Sequence, residues 1–120
     1  MGQSYRDLIA WQKAMDFVMD VYRTSKAFPR DELYGLASQL RRAAVGIPTN
    51  IAEGQARLAA NEFHYFLGRA RGSLVEVETQ LMIAQNLAYF PPEHGKELLE
   101  TAAELGRILK PLAGAIRPAA

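Results

Sequence analysis

Apolar residues recur along the chain at intervals of three and four, and no stretch shows the strict alternation of a strand. In the first segment Leu8, Trp11, Met15, Val18 and Tyr22 form one stripe and Ala10, Ala14, Phe17 and Val21 a second beside it. Lys13, Asp16, Asp20 and Arg23 fall on the opposite side, so the segment predicts an amphipathic helix with a broad apolar arc. Pro29 disfavours helical geometry at Phe28 and marks its end. The second seam is Leu33, Leu36, Leu40, Ala43, Ile47, Ile51 and Gly54, and the third is Phe63, Leu67, Ala70, Leu74, Val77, Leu81 and Ala88. Pro91 and Pro92 close the third segment and suit the first turn of a fourth. The fourth carries Leu98, Ala102, Leu105, Leu109, Leu112 and Ile116 on one face, with Pro111 inside it as an expected kink or early stop. The pattern predicts helices over about 6–27, 31–56, 60–89 and 92–116. With such short connections, the expected architecture is one all-α domain over 1–120, an antiparallel up-down-up-down four-helix bundle.

The second segment departs from an ordinary bundle helix. Residues 35–56 contain three formally charged residues, Arg41, Arg42 and Glu53, although an exposed helix face is normally richer in charge. A polar row, Gln39, Arg42, Gly46, Asn50, Glu53 and Arg57, runs beside the apolar seam, and Val45, Pro48 and Ala52 lie on the other flank. So little charge implies cover on several sides, which a neighbouring subunit would supply. Pro48 frees the carbonyl of Ala44 at a cost of roughly 3 kcal/mol, and Asn50 is a candidate partner for that carbonyl. The resulting bend either shapes a groove or lets the helix follow its neighbours. In the third segment Gly68 and Gly72 share a face on which another helix can approach closely. Arg71 and Glu78 sit at the edge of that segment's seam, and a buried carboxylate requires a cationic partner. Glu53 and Glu78 are therefore expected to pair with Arg42 and Arg71, within or between chains. Gln39, Arg42, Asn50, Glu53, Arg71 and Glu78 form the expected structural or interface network.

Composition narrows the function classes. Hydrophobic residues make up 49% of the 120, enough for a packed core, and the formal net charge is only +1. Positions 1–75 hold ten Lys/Arg against seven Asp/Glu, so any basic bias is local. The absence of cysteine excludes disulfides and thiolate metal sites. No apolar run is long enough to span a bilayer and no signal-peptide core is present, so a cytoplasmic protein without membrane association is expected. Only His64 and His94 offer imidazoles, and neither follows a Glu at the Glu-x-x-His spacing of di-iron bundles. No nucleotide-binding or zinc-protease motif occurs, and Ser38 and Ser73 have no evident base. No catalytic residue, metal or cofactor is expected. Arg41, Arg57, Arg69 and Lys13 are the candidate RNA or DNA phosphate contacts, with Tyr5, Tyr65 and Tyr89 available to stack on bases if exposed. The competing reading is that these arginines form interhelical ion pairs, these tyrosines pack, and the protein is an adaptor for another protein.

Four stretches carry a resemblance to a known family: "LIAWQKAMDF" (Leu8–Phe17), "FPRDELYGL" (Phe28–Leu36), "SQLRRAAVGIPTNIAEGQAR" (Ser38–Arg57) and "EFHYFLGRARGSLVEVETQL" (Glu62–Leu81). The third is very specific. The chain resembles the four-helix-bundle proteins encoded in intervening sequences of bacterial 23S rRNA genes, once misnamed as a ribosomal protein. The resemblance implies an antiparallel four-helix bundle, ring-shaped homopentamers, and kinship with the accessory proteins of diversity-generating retroelements, which bind nucleic acid and a reverse transcriptase through a basic surface. Most of that family has no established biochemical activity. Two positions depart from its usual pattern: Gly46 and Ala59 stand where Ser is common. Ala59 cannot cap the third helix as Ser would, a difference of about 1 kcal/mol, and Asn61 is an alternative cap two residues on.

Overall fold

The computed structural model describes residues 4–57 and 59–115. Four helices account for most of them: α1 (Ile9–Ser25), α2 (Leu36–Ala56), α3 (Ala60–Asn86) and α4 (Pro92–Ala115). Short 3-10 turns at Tyr5–Asp7 and Arg30–Glu32 precede α1 and α2. Ile116, expected on the fourth stripe, lies outside the described residues.

The helix directions follow from contacts between side chains. Lys13 meets Glu104 and Thr24 meets His94, so α4 descends as α1 rises. A Cβ at Gly106 would touch Leu74, and one at Gly95 would touch Gln85, so α3 and α4 are antiparallel. Gly46 meets Ser73, Asn50 meets Arg69, and Gly54 meets Phe63 and Phe66, which makes α2 and α3 antiparallel as well. α1 packs on both α2 and α4, so the four helices close into an all-α bundle about 46 Å long and 21–23 Å wide.

The core runs along the bundle axis. Phe17, Leu40, Ile47, Ile51, Leu67, Leu81, Leu105 and Leu109 are fully buried. Each such side chain contributes about 1.5–3 kcal/mol through removal from water. Of the two stripes on α1, the small one wins: Ala10, Ala14, Phe17 and Val21 face the core. Leu8, Trp11 and Val18 are half-buried at its edge, while Met15 and Tyr22 remain 40% and 38% exposed. Leu33, expected in the second seam, is 46% exposed because it lies before α2 begins.

The helix ends differ from the sequence expectation for local reasons. Leu8 is extended and serves as the N-cap of α1, which starts the α-helix at Ile9 instead of near residue 6. After Pro29 the chain makes a 3-10 turn, and α2 starts at Leu36 instead of near Asp31. Glu32 Oε1 accepts the Leu36 backbone N–H at 3.0 Å and so serves one of the orphan donors of that terminus. A Cβ at Gly35 would lie 2.8 Å from the same oxygen, so glycine leaves the carboxylate its place. At the other end of α3 the chain leaves the helix at Leu87, and Ala88 adopts φ 59°. Tyr89 N–H returns to Ala84 C=O at 3.0 Å, closing the helix in the manner of a left-handed C-terminal cap. Ala88 is therefore an exposed turn residue and not part of the seam. Ala59 is the N-cap of α3 with no side-chain hydrogen bond, so Asn61 does not take over that position. α2 continues through the buried Pro48, and α4 runs past Pro111 to Ala115, so neither proline ends its helix.

Candidate functional site

The polar row of α2 lies along the seam with α3. Asn50 occupies its centre: Nδ2 donates to the Gly46 carbonyl at 2.7 Å, and Oδ1 accepts from Arg69 Nε at 3.2 Å. The carbonyl it serves is thus that of Gly46 and not the Ala44 carbonyl freed by Pro48. One turn on, Glu53 Oε2 pairs with Arg57 Nη2 at 3.1 Å, and Arg57 Nη1 is 3.8 Å from Glu62 of α3. Arg57 lies one helical turn beyond Glu53 on the same face, so it reaches that carboxylate ahead of the expected partners Arg42 and Arg71. Gln39 and Arg42 are exposed. Among the described residues no ion pair within the chain joins Arg42, Arg71 or Glu78.

The four candidate phosphate contacts are scattered, and each is engaged. Lys13 Nζ is 2.7 Å from Glu104 Oε1, bridging α1 and α4. Hydrogen bonding to Glu104 raises the Lys13 pKa, and the same contact lowers that of Glu104. Both side chains are nearly half exposed, so this pair is open to screening by salt. Arg57 packs its guanidinium over Phe66 in addition to its carboxylate partners. Arg69 donates to Asn50 and to the Tyr65 hydroxyl and lies over the Tyr65 ring. Arg41 Nε donates to Ser25 Oγ at 2.7 Å, with its guanidinium 5.0 Å from the centre of the Tyr22 ring. Of the tyrosines considered for stacking, Tyr65 is 58% exposed, while Tyr5 and Tyr89 are half-buried.

These joints sit in a chain whose residues 6–111 match the family model of the 23S rRNA-intervening sequence proteins. The chain belongs to that family. A crystal structure of a protein of unknown function from the S23 ribosomal protein family of Bacteroides thetaiotaomicron has the same fold: TM-score 0.82, 18% identity, 88% of this chain and 98% of that one covered. Comparison with curated proteins returns no match.

Further features of this family member were not legible in the sequence. Thr24 Oγ1 and His94 Nε2 are 3.0 Å apart, tying the end of α1 to the first turn of α4. Thr24 is buried, so its hydroxyl serves as a joint and is not presented to a substrate. The pairing spans two segments with no common motif and follows from the antiparallel register alone. Gly68, Gly72 and Arg71 line a groove of about 500 Å³ between α3 and α4, together with Glu78, Arg107 and Lys110. A Cβ at Gly68 or Gly72 would meet nothing within 4 Å, so no helix of the same chain approaches there. Among the described residues no group of three or more His, Asp or Glu is placed to hold a metal ion, and no helix is long and apolar enough to cross a membrane.

Proposed function

We propose that this protein is a non-catalytic, homo-oligomeric helical bundle, assembled as a ring-shaped pentamer, that binds RNA or DNA through basic positions repeated around the ring. One observation carries the assembly reading: the outer face where α1 meets α2 is apolar and sparsely charged. Met15 is 40% exposed on α1 and Val45 is 40% exposed on α2. Exposed apolar side chains of this kind favour burial against a partner. A second copy of the chain fits because α2 has few charges to be stripped of water.

Light scattering at micromolar concentration tests the assembly. The expected mass is about five times the 13.3 kDa chain, and a monomer defeats the reading. Val45→Glu places a charge in the contact and is expected to dissociate the ring while leaving the helical signal intact.

Nucleic-acid binding is supported by the multiplication of modest basic positions in a ring, since phosphate contacts add along a backbone. The second reading is an adaptor that binds another protein. It is favoured by the fact that Lys13 and Arg57 already face carboxylates of their own chain. Salt-titrated binding to RNA and DNA separates the two. Affinity that falls steeply with salt supports the first, and no binding at low salt supports the second.

A further inference from the structure

The segment joining α1 to α2 borders an open cavity of about 360 Å³. Three of its lining side chains are cationic, Lys26, Arg30 and Arg41, and none is a carboxylate. Among the described residues no acid is ion-paired with them. Asp20 is paired with Arg23, and both oxygens of Glu32 are occupied, one by the Leu36 N–H and the other by the Tyr89 hydroxyl. Asp31 is exposed and does not line the cavity.

Arg41 is held before any ligand arrives. Its Nε donates to Ser25 Oγ, Ser25 Oγ in turn donates to the Tyr22 carbonyl at 3.2 Å, and the guanidinium plane is backed by the Tyr22 ring. Ser25 is only 3% exposed, so this anchor is firm. The terminal guanidinium nitrogens make no hydrogen bond or ion pair with other described residues. A guanidinium fixed at one edge with its remaining donors free is pre-organised for an oxyanion, because little side-chain entropy remains to be lost. Three like charges around one cavity also repel one another until an anion enters.

We propose that this cavity binds a phosphoryl group, with Arg41 as the fixed donor, Lys26 and Arg30 as flanking charges, and Leu33 as apolar support for whatever carries the phosphate. The cavity volume lies at the small end of ordinary ligand pockets, which suits a phosphate with one attached group. The phosphate belongs either to a nucleic-acid backbone or to a free phosphorylated small molecule. The first source rests on the nucleic-acid reading above; the second does not.

The test uses the full chain at low salt, titrated with inorganic phosphate and, separately, with a short RNA, while the Arg41 Nε–H and the backbone amides of 26–33 are followed by NMR. Saturable shifts at these positions are expected with phosphate. The Lys26→Gln/Arg30→Gln variant alters two exposed side chains and is expected to fold normally and bind phosphate about tenfold or more weakly. Ser25→Ala keeps every charge but releases Arg41, and is also expected to weaken binding. RNA that displaces phosphate from the cavity identifies a backbone source. Phosphate that saturates while RNA fails to bind identifies a small ligand, upholding the site and removing the nucleic-acid reading. RNA binding without any perturbation of the cavity leaves the nucleic-acid reading standing and overturns this proposal. So does an absence of saturable shifts with phosphate, or unchanged affinity in the double variant.

Discussion

Gly46 of α2 and Ser73 of α3 pack so closely that a Cβ at position 46 would lie 2.7 Å from Ser73 Oγ and 3.4 Å from Ser73 Cβ. The missing side chain is therefore what lets the serine sit in the seam beside Asn50. The two positions are expected to be coupled. Gly46→Ala gains helix propensity of about 0.5–1 kcal/mol. With Ser73 present that gain is offset by the forced rotation of the hydroxyl; in a Ser73→Ala background it is expected in full. A double-mutant cycle in urea measures the difference, and strict additivity would show that the contact has no energetic weight.

The other helical glycines divide by what surrounds them. A Cβ at Gly54 would lie 2.9 Å from both Phe63 Cδ1 and Phe66 Cβ, so Gly54→Ala is expected to destabilise by about 1–3 kcal/mol. Gly68→Ala and Gly72→Ala meet open space and are each expected to stabilise by about 0.5–1 kcal/mol. Denaturant midpoints of the three variants check the ordering. A loss of stability or of oligomer mass at Gly68 or Gly72 would mean that another copy covers the α3–α4 groove.

Two alanines occupy helix ends for which other residues are better suited. Ala59 has the extended backbone of an N-cap (φ −103°, ψ 136°) but no oxygen to offer, so Ala59→Ser is expected to stabilise by about 0.5–2 kcal/mol. Ala88 takes φ 59°, which is costly for a residue with a Cβ, so Ala88→Gly is expected to stabilise by about 1 kcal/mol. Thermal unfolding of each variant and of the pair tests both, and the effects should add because the two sites lie at opposite ends of α3.

Glu32 and Tyr89 supply a pH signature. The Leu36 N–H, and then the Tyr89 hydroxyl, hold the Glu32 carboxyl below its ordinary value of 4.5. The same hydrogen bond raises the Tyr89 pKa above its ordinary 10.0. For a depressed carboxylate the stabilisation is present above the ordinary value and is lost as pH falls through the folded one. For a raised tyrosine it is present below the ordinary value and is lost as pH rises through the folded one. The urea midpoint of the wild type is therefore expected to exceed that of Tyr89→Phe across neutral pH, with the gap narrowing towards acid and towards strong alkali. A gap independent of pH would assign the effect to packing alone.

Much of the bundle is written in local periodicity. The spacing of Leu40, Ala43, Ile47 and Ile51, and of Leu67, Ala70, Leu74 and Val77, places each on the face that the structure buries. The two stripes of α1 could not be ranked that way, because both have helical spacing. Close packing against α2 and α4 selected the one rich in alanine and left Met15 and Tyr22 outside. Helix starts were misread where a side chain from upstream acts as the cap, as Glu32 does for Leu36. The polar row of α2 was recognisable as a row, but its partners were not. Glu53–Arg57 is a local pair one turn apart, but the contacts of Arg57 with Glu62 and of Arg69 with Asn50 come from the antiparallel setting of α3 against α2.

By itself the sequence determined that this chain forms four amphipathic helices, and it carried the family likeness, because helical period and the specific Ser38–Arg57 stretch are properties of adjacent residues. Only the tertiary structure decided which cations are spent within the chain and which remain available. Arg41, held by Ser25 and Tyr22 beside Lys26 and Arg30, is an example: its surroundings come from two helices and the turn between them. Electrostatic environment depends on distance in space, and spacing along the chain does not encode that across an interhelical seam.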